Sequence, residues 1–228
     1  MAERETPRLA AMNEAHMACL LLLDTSGSMS GAPINSLNKA VNEFKEKTCL
    51  DELTKKRVDV AVVKFDDTVE VVQEFRPVTE MEQVQLDTGG CTYMCAAIDK
   101  AIDMVKERNR LYDSFGTPCY KPWIVMITDG EPTDYSRLEE VAARIKTEQT
   151  KGTHGKLKFF ALGVEGYDKS VLTKLTDKVM ELENTDFSKF FNWLSESMTT
   201  ISVSKVGDAV QLPVLPDNVH IIPIDWGN

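Results

Sequence analysis

The chain has 228 residues, 43% of them hydrophobic, which is enough to bury the core of one α/β domain. Its formal net charge is −10 and its sequence pI is about 4.9. This charge argues against a nucleic-acid partner and against an anionic membrane surface, because both bind clustered basic residues.

The first predicted strand is the apolar run Met17–Leu23, which is too short to cross a bilayer. The charged segment 1–16 before it lacks an apolar signal core and is interpreted as a loose N-terminal leader or a capping segment. The five cysteines are an odd number without a paired framework, which favours free thiols in a reducing compartment. Together these features predict a cytoplasmic protein.

Cys91 and Cys95 have helical spacing, but no histidine nearby in sequence completes a zinc site.

The following elements alternate between helices and strands. In chain order, the hydrophobic spacing predicts a helix from Pro33 to about Cys49, strand Val58–Phe65, antiparallel edge strand Thr68–Phe75, helix Thr92 to about Asp113, strand Trp123–Thr128, helix Arg137–Lys151, strand Leu157–Val164, helix Lys169–Thr176, edge strand Val179–Leu182 and a final helix from Phe187. This alternation predicts a doubly wound (Rossmann-like) α/β domain over residues 17–205. Its sheet is expected to be mostly parallel and six-stranded, with one antiparallel edge strand and helices on both faces.

Residues 206–228 are predicted to form an extended C-terminal tail, because Pro213, Pro216 and Pro223 forbid a regular helix there. Two interpretations of this tail stay open. It could pack along the flank of the domain, or it could dock to a partner by adding to a sheet edge.

Polar motifs follow the first and fourth predicted strands at their carboxyl ends. The first strand continues into Asp24-Thr25-Ser26-Gly27-Ser28, and the fourth continues into Thr128-Asp129-Gly130-Glu131-Pro132. Between them in sequence lies Gly89-Gly90-Cys91-Thr92. Open α/β sheets bind ligands at the carboxyl ends of their strands, so these loops are expected to converge. Two carboxylates and three hydroxyls would form an all-oxygen site suited to a hard divalent cation.

In this order and setting, the motifs resemble the metal-ion-dependent adhesion site of von Willebrand factor A (VWA) domains, and the resemblance covers about residues 17–205. It implies a metal site in which the hydroxyls of Ser26 and Ser28 bind the ion directly. Thr92 would bind it directly or through water, and Asp24 and Asp129 would act mostly through water. Mg²⁺ is the expected ion, with Mn²⁺ or Ca²⁺ as alternatives. Cys91 departs from the family pattern, which often has glycine before the threonine.

Each carboxylate taken alone would be interpreted as a turn or helix-capping residue, and only the set of motifs favours a metal. Three more acids, Asp87, Glu131 and Asp134, are predicted near the mouth of the site. They are interpreted as solvated loop residues that could tune ion affinity or repel wrong partners.

The resemblance implies a metal-dependent protein-interaction module, in which an Asp or Glu of an intracellular partner completes the metal shell. The segment 128–134, Thr-Asp-Gly-Glu-Pro-Thr-Asp, most resembles the bacterial tellurium-resistance-associated (TerY-like) group. That resemblance implies assembly or regulation of a stress-response, tellurium-resistance or phage-defence system.

Two alternative functions stay open: a metal-assisted hydrolase, and a scaffold in which the metal is purely structural. An enzyme is not expected, because no phosphate loop or nucleophile elbow is present. In addition His16, His154 and His220 all lie outside the three motifs, so no general base is identifiable. The sequence leaves the oligomeric state open.

Overall fold

The computed structural model describes residues 13–151 and 157–222. Most of the predicted leader, the loop that contains His154, and the end of the predicted tail lie outside the described residues. The predictions made for those segments therefore stay predictions.

The described chain follows the predicted order of strands and helices, with one additional short helix at Thr54–Arg57 that the hydrophobic spacing does not predict. The strands are β1 (Met17–Asp24), β2 (Val58–Phe65), β3 (Val69–Pro77), β4 (Trp123–Thr128), β5 (Lys158–Gly163), β6 (Val179–Leu182) and β7 (Val219–Ile221). The α-helices are α1 (Ala32–Thr48), α2 (Thr54–Arg57), α3 (Met94–Ser114), α4 (Leu138–Lys151), α5 (Lys169–Leu175) and α6 (Ser188–Ser202). Single 3₁₀ turns occur at Gly27–Met29, Val78–Glu80 and Tyr135–Arg137.

The strands form one sheet in the order β3-β2-β1-β4-β5-β6-β7. Its five central strands are parallel, whereas β3 and β7 run antiparallel to their neighbours at the two edges. The predicted doubly wound α/β architecture is confirmed, but the prediction of six strands with one antiparallel edge strand is wrong. The seventh strand comes from the predicted tail, and it makes β6 an internal strand. A three-residue strand flanked by prolines shows no hydrophobic period from which it could be predicted.

The central strands are apolar because helices cover both faces of the sheet. All eight residues of β1 are buried. Leu21 and Leu23 belong to a core layer shared with α1 and α6, and Leu20 and Leu22 belong to a layer shared with α3 and α4. The continuous run of leucines therefore reflects burial on both faces.

An extended segment, residues 81–87, lies along α1 and leads into the Gly89–Thr92 loop. Two asparagines of α1 each make paired hydrogen bonds to its backbone. Asn38 bonds the N–H and C=O of Leu86 at 2.7 and 2.9 Å, and Asn42 bonds those of Val84 at 2.9 and 2.8 Å. These side chains satisfy backbone groups that no sheet partner reaches, and they fix the path of the chain toward the loop.

A buried polar cluster lies at the amino end of the sheet. Asp59 Oδ2 accepts a hydrogen bond from the Tyr112 hydroxyl at 2.6 Å and lies 2.9 Å from Arg108 Nη2 and from His16 Nδ1. His16, which the sequence analysis assigns to the leader, is fully buried here, and its backbone bonds the chain on both sides of Cys119.

The segment 206–218 crosses α6 before it reaches the sheet edge. Val210, Leu212 and Leu215 pack against the core layer, and the Trp193 indole N–H donates to the carbonyl oxygen of Pro213 at 3.0 Å. The chain then adds β7 to β6, pairing Val219 with Leu182. The described part of the tail thus packs along the flank of its own domain and covers its own sheet edge.

Across residues 13–151 and 157–222, none of the helices combines the length and the apolar composition that a bilayer crossing requires.

Candidate metal site

The three predicted motifs meet at the carboxyl edge of the sheet, because β1 and β4 are adjacent parallel strands with Leu23 opposite Ile127. Asp24 is therefore the last residue of β1, beside Thr128 at the end of β4. Asp129 follows directly. The parallel pairing places the two acidic motifs side by side although more than a hundred residues separate them in sequence.

The two serines and Asp129 are in mutual contact. Ser26 Oγ lies 3.1 Å from Ser28 Oγ, and Ser28 Oγ donates to Asp129 Oδ1 at 2.8 Å. The 3₁₀ turn Gly27–Met29 brings the second hydroxyl back toward the strand end. Two hydroxyls and one carboxylate thus face the same small volume.

Thr92 and Asp24 border this volume from the other side, next to Gly130. A methyl group added at Gly130 would lie 3.4 Å from Thr92 Oγ1 and 3.9 Å from Asp24 Oδ2. The structure therefore brings together the side chains of all five predicted site residues: Asp24, Ser26, Ser28, Thr92 and Asp129.

Backbone hydrogen bonds hold the loops in this arrangement. The Gly89 N–H donates to the carbonyl oxygen of Thr25 at 2.9 Å, and the Gly27 N–H donates to that of Gly90 at 3.3 Å. Gly90 has a φ of +69°, and a methyl group there would lie 2.6 Å from the carboxyl carbon of Asp67. Only glycine fits this position without strain, which explains the glycine before Cys91.

Thr128 also contributes to the site, although its place in the Thr128–Pro132 motif did not predict that role. The Thr128 hydroxyl donates to Asp24 Oδ2 and accepts a hydrogen bond from the Gly130 N–H at 3.2 Å. The Ser26 N–H donates to Asp24 Oδ1 at 2.8 Å. Both oxygens of the Asp24 carboxylate are thus oriented by hydrogen bonds before any ion binds.

The loop after β4 also positions Thr92. The Thr133 N–H donates to the carbonyl oxygen of Thr92 at 2.8 Å, and the Thr92 N–H donates to Thr133 Oγ1 at 3.1 Å.

The Asp134 carboxylate accepts from the backbone N–H groups of Cys95 and Ala96 at 3.1 and 2.9 Å. The interpretation of Asp134 as a solvated loop acid is therefore wrong, since it caps the first turn of α3. Its capping role depends on the fold, because the two segments are far apart in sequence.

Burial makes the two carboxylates hold their protons more tightly than usual. Desolvation raises the pKa of Asp24 to about 6, although hydrogen bonds from Thr128 and Ser26 oppose the shift. Desolvation also raises the pKa of Asp129. Neither side chain forms an ion pair with another described residue. Two buried, unneutralised carboxylates beside three hydroxyls are a donor set that a hard divalent cation would stabilise.

The described residues contain no group of three or more His, Cys, Asp or Glu side chains arranged to hold a metal ion. A cation at the carboxyl edge therefore requires the hydroxyl ligands as well as the acids. Cys91 is exposed, whereas Cys95 is buried in α3 and burial raises the pKa of its thiol to about 12. This difference disfavours a zinc site built on the two cysteines.

The chain is similar to known proteins in sequence pattern and in fold. A family model described as von Willebrand factor type A domain matches residues 20–198. A comparison with curated proteins finds no match.

Several solved structures share the fold. They include a von Willebrand factor type A structure from Catenulispora acidiphila (16% identity, TM-score 0.60, covering 82% of this chain and 43% of that chain) and the pilus adhesin SpaC from Lactobacillus rhamnosus GG in its open conformation (15%, 0.65, 83% and 31%). A third is proximal thread matrix protein 1 from the mussel byssus, with a zinc-occupied MIDAS (metal-ion-dependent adhesion site) motif. It has 18% identity and a TM-score of 0.54, and the match covers 84% of this chain and 46% of that chain. The present chain spans less than half the length of each of these structures. Identities this low show a shared fold alone.

Proposed function

Because the chain belongs to the von Willebrand factor type A domain family, we propose that it is a divalent-metal-dependent protein-interaction module. Domains of this family often mediate metal-dependent interactions between proteins. In the proposed function, Asp24, Ser26, Ser28, Thr92 and Asp129 hold the ion. An Asp or Glu carboxylate of a partner protein completes the metal shell.

The convergence of these five side chains at the carboxyl edge of the sheet carries the proposal. Three of the five donors are neutral hydroxyls, so a bound divalent ion would keep much of its positive charge. The two carboxylates are buried and carry no other countercharge among the described residues. An ion held in this way would favour one more anionic ligand from outside, and a partner carboxylate supplies it.

We propose Mg²⁺ as the ion, because small oxygen ligands suit its short bonds and near-octahedral shell. Mn²⁺ and Ca²⁺ are the alternatives expected from the sequence. The structure of the mussel byssus protein is described as having zinc in its MIDAS motif. Zinc therefore belongs among the ions to be compared in a titration of this chain.

We propose binding rather than catalysis. Metal-assisted hydrolysis needs an activated water with a base nearby. Of the two described histidines, His16 lies in the cluster at the opposite end of the sheet, and His220 in β7 contacts Glu183 at 2.7 Å. A scaffold in which the metal is purely structural remains the competing function, and the two differ in whether partner binding requires the ion.

The cellular setting is proposed from the sequence alone. The acidic composition, the cysteine pattern and the resemblance of residues 128–134 to the TerY-like group support a cytoplasmic role in a stress-response, tellurium-resistance or phage-defence system. The proposed partner is an intracellular protein that presents an acidic residue.

A pull-down from native extract tests the interaction. The tagged wild-type chain would be compared with an Asp24→Ala/Ser26→Ala double variant, each in Mg²⁺ and in EDTA. We expect one or more proteins to be retained only by the wild type in Mg²⁺. A Ser30→Ala variant serves as the control, because Ser30 is exposed and its side chain makes no hydrogen bond to the five site residues. Identical proteins in every lane would assign the metal a structural role instead.

A further inference from the structure

The loops at the carboxyl edge of the sheet carry acids and no bases. Six of the loops at this edge are residues 24–31, 65–68, 87–93, 128–136, 163–168 and 183–187. They contain no lysine, arginine or histidine, and they contain eleven acids, namely Asp24, Asp66, Asp67, Asp87, Asp129, Glu131, Asp134, Glu165, Asp168, Glu183 and Asp186. A chain with 26 basic residues thus places none of them in the loops that surround the candidate metal site.

Seven of these acids have roles that the structure explains. Two form the metal site, and Glu183 contacts His220. Four accept hydrogen bonds from backbone N–H groups at turns or helix starts, namely Asp66, Asp134, Asp168 and Asp186. The other four, Asp67, Asp87, Glu131 and Glu165, are exposed and form no ion pair within residues 13–151 and 157–222.

These four acids, called the acidic rim below, lie on different sides of the site. The Asp67 side chain packs against Gly90, and Asp87 is two residues before Gly89, whose N–H bonds Thr25. Glu131 follows Gly130, which borders Thr92 Oγ1 and Asp24 Oδ2. Glu165 precedes Gly166, where an added methyl group would lie 3.6 Å from the carbonyl oxygen of Asp129. Each rim acid therefore lies in or against one of the loops that carry or contact the site residues.

A bound divalent ion does not neutralise this rim. Its two positive charges match the two buried carboxylates of the site, so the four rim carboxylates keep their negative field. A partner carboxylate that approaches the ion enters this field, and like charges disfavour it unless the partner also brings positive charge. At physiological salt, charges within about 8 Å of each other still interact appreciably. Partner residues that are next to the metal-binding carboxylate fall within this distance of it.

We propose that the natural partner presents its metal-binding Asp or Glu within a basic segment, with lysine or arginine close to the carboxylate in sequence or on its surface. This inference rests on the proposed function, because it assumes that a partner carboxylate ligates the ion. The carboxylate gives metal dependence, and the flanking bases pair with the acidic rim. The same rim then disfavours acidic proteins that lack such flanking bases.

Synthetic peptides of one length and one central Asp test the inference. Three would be compared in Mg²⁺, with the Asp flanked by lysines, by glutamines or by glutamates. At low salt we expect the lysine-flanked peptide to bind at least about tenfold tighter than the glutamine-flanked one, and the glutamate-flanked one to bind weakest. The difference should shrink as salt is raised. Equal affinities for all three peptides would overturn the inference.

A charge-matched pair of variants assigns the effect to the rim. Asp67→Asn/Asp87→Asn/Glu131→Gln/Glu165→Gln removes the rim charge. Glu46→Gln/Glu74→Gln/Glu107→Gln/Glu196→Gln removes the same charge from exposed acids on α1, β3, α3 and α6. We expect the preference for lysine flanks to collapse only in the rim variant. A preference that survives in the rim variant, or collapses equally in both, would contradict the inference.

Two further arms separate this inference from the proposed function. A lysine-flanked peptide with Asn in place of Asp, and every peptide in EDTA, report binding that does not use the metal. If the Asp peptides bind no better in Mg²⁺ than these controls, the proposed function and the inference both fail. If they bind in a metal-dependent manner without regard to their flanks, the proposed function stands and only the inference fails.

Discussion

At the scale of single residues, the site combines donors that differ in charge and burial. Asp24 and Asp129 are buried and electrostatically costly, whereas the exposed Ser28 closes the contact between Ser26 and Asp129. The hydroxyls supply oxygen ligands without adding charge, so under the proposed function the site would hold a cation and still attract an anionic partner. The chemistry of the site is therefore a property of the whole set of side chains.

Ser28→Ala removes the hydroxyl that contacts both Ser26 and Asp129. We expect Mg²⁺ affinity to fall by about 10–100-fold or more, since losses of this size follow the removal of groups that only support metal ligands. The thermal stabilisation caused by saturating Mg²⁺ should shrink in parallel, because ligation stabilises the folded state by mass action. Calorimetry and thermal shift assays would measure both effects. Ser30→Ala is the matched control, and an equal loss in both variants would count against a direct role for Ser28.

Gly90→Ala tests the close approach of the Thr92 loop to Asp67. Gly90 and Gly116 have similar positive φ values, +69° and +65°, but a methyl group meets Asp67 at Gly90 and nothing within 4 Å at Gly116. We expect both alanine variants to lose about 1–3 kcal/mol of stability from backbone strain. Only Gly90→Ala should also weaken Mg²⁺ binding, because Asp67 or the loop must move. Chemical denaturation and metal titration of the pair provide the measurement, and unchanged metal affinity in Gly90→Ala would contradict the expectation.

At the scale of elements, α3 joins the two ends of the sheet. Its first turn follows Thr92 and is capped by Asp134, and Arg108 and Tyr112 near its other end bond Asp59. Asp59 Oδ1 is buried and has no hydrogen-bond partner, so the cluster is not fully satisfied. A buried ion pair of this kind adds little net stability relative to well-packed apolar residues, but the removal of one partner is strongly destabilising.

Asp59→Asn should destabilise the fold strongly, because it removes the buried negative charge that lies 2.9 Å from Arg108 Nη2. We expect a loss of about 3–5 kcal/mol, measured by chemical denaturation. The control is Asp103→Asn on the same helix, which breaks the surface pair with Arg144. That variant should lose no more than about 1 kcal/mol. Similar losses in the two variants would show that burial of the cluster does not matter.

The same cluster predicts a pH dependence. Burial by itself would raise the pKa of Asp59, but the hydrogen bond from His16 and the charge of Arg108 outweigh it and lower the pKa. A carboxyl group with a lowered folded-state pKa contributes stability that is present above its unfolded pKa, about 3.9, and is lost as the pH falls through the folded value. We expect wild-type stability to drop below about pH 4, and Asp59→Asn to show a smaller drop. If stability falls with decreasing pH equally steeply in the wild type and in Asp59→Asn, Asp59 is not the source of the pH dependence.

At the scale of the whole molecule, the tail decides how the sheet ends. Without β7, the outer edge of β6 would present unpaired backbone groups to other chains. The tail covers that edge and also crosses α6, so it links the last helix to the last strand. The final strand of the sheet therefore lies outside residues 17–205, the domain that the sequence predicts.

A chain that ends at Lys205 should lose stability and self-associate. Val219 and Ile222 are buried, and losing their burial alone costs about 3–6 kcal/mol, or a Tm lower by roughly 10 °C or more. The exposed β6 edge should also promote association of the truncated chain. Calorimetry and light scattering would test both effects, with a chain ending at Ile222 as control. An unchanged Tm and a monomeric mass for the shorter chain would show that the tail is dispensable for the fold.

The sequence by itself determined the order of the elements from β1 to α6 apart from the short helix α2, the doubly wound architecture, and which five side chains are the candidate donors. These features depend on local hydrophobic spacing and on short motifs at strand ends, which are visible in a single chain. Only the tertiary structure decided the seventh strand, the bond from Thr128 to Asp24, the cap that Asp134 places on α3, and the burial of His16 against Asp59. Each of these depends on pairings between segments far apart in sequence, and such pairings leave no local pattern, because their free energy arises only when the folded chain brings the partners together.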